Sequence, residues 1–125
     1  MPLRFDDDPL SDAVDGIVDN VDEGSQEDNG VIEFYSGPQP GSLGGTPSGD
    51  LLAVVDYQDP AFGDASSGSA AALGVPLSTT GVADGDIGFA RVLDRDATVL
   101  WDDDDVGTSG TRIVVNTLTV SIGVD

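Results

Sequence analysis

The side chains of this chain that could do chemistry are nearly all carboxylates. The densest group is the unbroken run Asp102-Asp103-Asp104-Asp105. Oxygen-rich clusters bind Ca²⁺, which takes about six to eight carboxylate, carbonyl and water oxygens. The spacing here is wrong for a dedicated site. A calcium loop alternates its ligands as Asp-x-Asp-x-Asp-Gly, and only the fragments Asp84-Gly85-Asp86 and Asp94-Arg95-Asp96 approach that pattern. Asp102, Asp103, Asp104 and Asp105 are therefore weak metal candidates. Non-specific cations around a solvated loop are the expectation, with Ca²⁺ the one specific ion to test. Paired carboxylates also run glycoside hydrolysis. With 24 acids in 125 residues some pair is always close, so proximity alone identifies nothing.

The missing residue types exclude more than the present ones suggest. There is no His, so the commonest general base and metal ligand is absent. Cysteine is absent too, which removes disulfides, thiol nucleophiles and thiolate zinc sites. Without Lys there is no phosphate-cradling Gly-rich loop of the Gly-Lys-Ser/Thr type. No Gly-x-Ser-x-Gly elbow presents a serine. Trp101, Phe89, Phe62, Phe34 and Tyr57 read as core aromatics. No enzymatic activity and no cofactor are expected. Four dispersed arginines make no basic patch, so direct nucleic-acid binding is not expected either.

Charge speaks to solvent more than to partner. Twenty-one Asp and three Glu face four Arg, for a net charge of -20. Such an excess repels itself across a compact surface. Near molar salt the Debye length falls to about 3 Å and the repulsion is screened. An acidic solubilising surface or an acidic tail would give a similar total. The acids are spread along the chain, however, and Lys is absent altogether, which favours a protein that works in brine.

These residues need elements to hold them. Leu10, Ala13, Val14, Ile17, Val18 and Val21 recur at helical spacing among Asp12, Asp15, Asp19 and Asp22, predicting an amphipathic helix near 10–22. Ser11 is its expected N-cap and Gly24 its stop. Residues 1–29 thus form an acidic N-terminal segment, and 30–125 a β domain. Val31-Ile32-Glu33-Phe34-Tyr35 and Asp50-Leu51-Leu52-Ala53-Val54-Val55-Asp56-Tyr57 read as strands, with an uncharged loop at 37–49 between them. Ile87–Leu93 and Ala97–Trp101 flank a turn at Asp94-Arg95-Asp96. Weak strand signal lies at 71–77, and further strands at 112–115 and 118–122. Short strands separated by Gly, Pro and Asp turns predict a mainly β fold, an antiparallel β-sandwich or jelly-roll-like barrel with a short N-terminal α-helix. No run of about 18 apolar residues could insert in a membrane, and no basic-then-apolar leader opens the chain.

Four turn-rich segments, in order, carry a likeness. Ser36-Gly37-Pro38-Gln39-Pro40 with Thr46-Pro47-Ser48-Gly49-Asp50-Leu51-Leu52-Ala53 comes first. Asp59-Pro60-Ala61-Phe62-Gly63-Asp64-Ala65 follows, then Ala90-Arg91-Val92-Leu93-Asp94, then Val106-Gly107-Thr108-Ser109-Gly110 with Asn116-Thr117. This series resembles a family of small virion proteins of tailed viruses of bacteria and archaea, over about residues 10–125. The resemblance implies a mostly β domain with a short leading helix, a structural role in the virion, and no catalytic residue. Members of that family continue past the Asn-Thr segment into a further strand. The expectation here is that this strand is missing or is supplied by a neighbouring subunit, leaving an edge open to strand addition.

Joined with the brine signature, the likeness points to a tailed virus of a halophilic archaeon. The expected location is the virion, in high salt after synthesis in the host cytoplasm. The expected role is a capsid decoration, cementing or turret component. The expected partners are other copies of itself and neighbouring virion proteins, the major capsid protein first. A neck or tail position and a host-surface adhesion module are the alternatives, and an acidic cellular β domain of a halophile is a third. Contact candidates are Leu10, Val14, Ile17, Val18 and Val21 on the helix stripe, and Pro38, Pro40, Leu43 and Pro47 in the loop.

Overall fold

A computed structural model describes residues 7–24, 29–64, 70–75, 77–111, 113–115 and 117–121, with backbone alone for 7–11. The fold is mainly β, with an antiparallel sheet and a short N-terminal helix, as expected. Helix α1 spans Asp7–Val18 and tightens into a 3-10 turn at Asp19–Asp22. Eight strands follow: β1 Val31–Tyr35, β2 Leu51–Asp56, β3 Gly85–Asp86, β4 Phe89–Leu93, β5 Val99–Asp103, β6 Val106–Gly107, β7 Ile113–Val114 and β8 Thr119–Val120. Four of them form one antiparallel sheet in the order β2-β1-β4-β5. β3 pairs with β8 antiparallel, and β6 with β7 parallel.

The helix begins three residues before the predicted start. Asp8-Pro9 lies within its first turn. That position tolerates proline because the first amide groups have no intrahelical acceptor to lose. Ser11 is consequently inside the helix and is not its N-cap.

Registry explains the sheet's two faces. β1 alternates, with Ile32 and Phe34 buried and Val31, Glu33 and Tyr35 half-buried. Opposite Ile32 and Phe34 stand Val55 and Ala53 on β2, and Val92 and Ala90 on β4. Together they make the core face. Ala90 opposite Phe34 is the small residue that lets a covering layer approach closely. Val21, Tyr57 and Ala61 close over it, and Phe62, Ala72, Leu77, Val106, Ile113 and Val115 pack around them half-buried. This opposing layer is made of connections and two-residue ladders. The strand signal at 71–77 reduces there to a single bridge, Phe62 to Ala72. Among the described residues no second large sheet faces the first.

On the other face lie Tyr35, Glu33 and Val31 against Phe89, Arg91 and Leu93. The two faces differ in kind: one is apolar, the other holds an ion pair beside two stacked aromatic rings. The turn joining β4 to β5 is built by Asp94, whose Oδ1 accepts from the amides of Asp96 and Thr98 at 3.0 and 2.9 Å. Ala97 is forced to a φ of 66° to close it.

Candidate functional site

The acidic run does not form one cluster, because its first two members are strand residues. β5 extends through Asp103, two residues further than predicted. Strand periodicity then throws Asp102 and Asp103 to opposite faces. Asp102 stands opposite Arg91 on β4. Arg91 Nε donates to Asp102 Oδ1 at 2.8 Å, and Nη2 to Oδ2 at 3.3 Å. The pair is nearly dry, with side chains 7% and 2% exposed. Arg91 Nη2 also donates to the Gly45 carbonyl at 2.8 Å, across 46 residues of sequence. Its guanidinium lies 5.6 Å from the ring centres of both Tyr35 and Phe89. Those rings stack at 5.2 Å and 10°.

This arrangement fixes Arg91 as a cation at any pH the fold survives. Its hydrogen bond to Asp102 raises its pKa, more than burial lowers it. The neighbouring Tyr35 hydroxyl donates to Glu33 Oε1 at 2.9 Å. Burial first, then that bond and the charge of Glu33, push the phenol up to about 12. The cluster contains groups that could in principle titrate or bind, and all are committed to one another. The rest of the run disperses: Asp103 Oδ1 accepts from the Asp105 amide at 2.9 Å, and Asp104 is exposed. Among the described residues no three acids converge as a metal site would require. Asp102 is thus displaced from the candidate ligands by its own arginine.

The helix stripe divides. Val18 and Val21 are 8% and 0% exposed, so these two predicted contact residues are covered within the chain itself. Val21 occupies the space a side chain at Gly30 would need. Next to it both Asp22 carboxylate oxygens accept from the Ala61 amide, at 3.0 and 3.1 Å. Val14 is half-buried, while Ala13 and Ile17 are exposed, Ile17 by 56%, so Ile17 is the large described side chain of the stripe that points well into solvent. The side chain of Leu10 lies outside the described residues.

The 37–49 loop keeps its candidates accessible. Pro38 is exposed, Pro40 and Pro47 are half-buried, and Leu43 is 61% exposed. Its base is closed by reciprocal bonds between Ser36 and Asp50: Ser36 N to Asp50 O at 3.0 Å, and Asp50 N to Ser36 Oγ at 2.9 Å. Gly88 abuts the Gly37 carbonyl where no Cβ would fit. Arg91 tethers the far limb at Gly45. The loop that presents Leu43 is therefore held at both its root and its middle.

Sequence reasoning missed another set. Leu73, Val75 and Val114 are 38%, 64% and 61% exposed on the layer covering the core face. The available signal was a scarcity of acids: between 60 and 83 the one acid is Asp64, and from 106 to 124 there is none. The described cations are both ion-paired, Arg91 to Asp102 and, at the surface, Arg95 to Asp59 at 2.9 Å. No helix is long and apolar enough to cross a membrane among the described residues.

No family model, curated protein or solved structure matches this chain.

Proposed function

We propose that this chain is a non-enzymatic structural protein of a tailed virus that lives in brine, placed on the capsid surface as a decoration or cementing component. The observation that carries the reading is the Arg91 tether. Arg91, in the 90–94 segment that resembles virion proteins, bonds Gly45 between the 36–40 and 46–53 stretches of the first such segment, and Gly88, just before 90–94, closely approaches Gly37. A third, 59–65, is joined to the N-terminal segment through Asp22 and Ala61, and to the β4–β5 turn through Asp59 and Arg95. What the likeness shares is thus scaffold, which suits a protein whose work is to hold a shape and bury surface. The charge of -20 suits continuous exposure to salt.

Immuno-electron microscopy of particles released by the infected host tests this. Antibody against the recombinant domain should label the whole head. Label confined to the neck or tail would move the protein there, and particles that carry no label would overturn the reading.

A further inference from the structure

Asn29 is followed by glycine, whereas Asn20 precedes Val21 and Asn116 precedes Thr117, both β-branched. The difference is chemical. A backbone amide nitrogen can attack the carboxamide carbon of the asparagine before it. A β-branched side chain beside that nitrogen hinders the approach, and glycine leaves it open. Here the glycine is required by packing. A Cβ at Gly30 would meet the side chain and carbonyl of Val21 and the Leu93 carbonyl. A labile pair therefore sits in the joint where the N-terminal segment packs on the sheet.

Tyr57 holds both halves of the pair. Its carbonyl accepts from Asn29 Nδ2 at 2.9 Å, and its amide donates to the Gly30 carbonyl at 2.9 Å. Nδ2 is the nitrogen that would leave, and Gly30 is buried. Ring closure turns the Asn29 carboxamide and the Asn29–Gly30 peptide towards each other. Bonds from one residue to both restrain those turns while the joint stays closed.

We propose that Asn29 is a site of spontaneous deamidation gated by the fold: shielded in brine, reactive when falling salt opens the joint, and unable to relatch once converted. The step needs only water. Gly30 N bonds to Asn29 Cγ as it loses its proton, the Cγ–Nδ2 bond breaks, and the departing nitrogen takes up a proton to leave as ammonia. Water then opens the cyclic imide at either carbonyl, giving aspartate or isoaspartate. Nothing is oxidised or reduced. Aspartate turns an acceptor on the Tyr57 carbonyl where a donor stood. Isoaspartate lengthens the backbone by one methylene ahead of Gly30, which has no room to shift against Val21. The gate is the charge of -20, because lower salt lengthens the Debye length and self-repulsion then favours opening. The inference is independent of any place in a virion.

The experiment holds the full chain in mildly alkaline buffer at 2 M and at 0.01 M NaCl, each with and without unfolding urea, and follows conversion by peptide mass mapping. Without urea, Asn29 should convert at least about tenfold more slowly in 2 M NaCl than in 0.01 M. In urea the two salts should give one rate, with Asn29 well ahead of Asn20 and Asn116. Chain converted at low salt and returned to 2 M NaCl should melt at least about 5 °C below unconverted chain. An Asn29→Asp variant should show that loss from the start. Equal rates at the two salts without urea overturn the proposal, as does a salt effect that persists in urea, which would place salt on the chemistry and not on the fold. Conversion at Asn20 or Asn116 ahead of Asn29 in urea overturns the site. A converted chain that melts with the unconverted one overturns the latch.

Discussion

Removing salt should unfold this protein, and the size of the effect can be worked from its surface. A sphere with the molecule's 7439 Å² of accessible area has a radius of about 24 Å. Spreading 20 net negative charges over it in water costs about 332/160 times the squared charge over the radius, divided by one plus the ratio of radius to Debye length. That is ~19 kcal/mol in 0.01 M salt, ~10 in 0.1 M and ~4 in 1 M. An unfolded coil of this length has a radius near ~36 Å, and the same charge on it costs ~10, ~5 and ~2 kcal/mol. Self-repulsion therefore disfavours the folded state by about 8, 5 and 2 kcal/mol at the three salts. Against a total stability of about 5–15 kcal/mol, the gain of ~6 kcal/mol decides whether the chain folds. For a domain of this size it corresponds to a melting shift of about 20 °C, roughly half in each decade of salt. Melting followed by circular dichroism in NaCl would measure it, with sucrose at matched osmolality separating charge screening from general exclusion effects. A melting point that moves less than about 5 °C between 0.01 and 1 M NaCl, or that sucrose raises equally, would refute the reasoning.

Three further outcomes follow from the geometry. Asp102→Leu should cost about 3–5 kcal/mol in urea denaturation because it strands a buried Arg91, while the double change Arg91→Met with Asp102→Leu should recover most of that loss. Ala97→Gly should raise stability by about 1 kcal/mol, since the φ of 66° is strained for any side chain. Both tyrosines should ionise late: burial raises Tyr57 to about 12, as burial and Glu33 do for Tyr35. Absorbance at alkaline pH should show little phenolate near pH 10, where a free tyrosine is about half ionised. The sign is that of a group neutral in the fold, so the stabilisation is complete below pH 10 and drains away as pH rises towards 12.

β1 was legible residue for residue, because four β-forming residues, with Glu33 among them, fill the run between Gly30 and Ser36 with no competing signal. β5 was displaced, since Asp102 and Asp103 read locally as turn formers. Only the partner on β4 makes a buried aspartate favourable in a strand, and pairing partners are not visible along the sequence. The bond from Arg91 to Gly45 was hidden for the same reason. The helix start was misplaced because Asp8-Pro9 signals chain entry and first helical turn equally well. The covering layer was legible only in part: strand material read at 112–115 contains β7, Ile113–Val114, and the weak signal at 71–77 contains the bridge at Ala72. Most of it is connection rather than ladder, so the exposure of Leu73, Val75 and Val114 could not be read from spacing.

The central claim is that this domain is a virion building block. Quantitative mass spectrometry of particles purified in brine, scaled to the major capsid protein, tests it most directly. A decoration component should be present on the order of hundreds of copies, in a whole-number ratio to the capsid lattice. Its absence from purified particles would contradict the account.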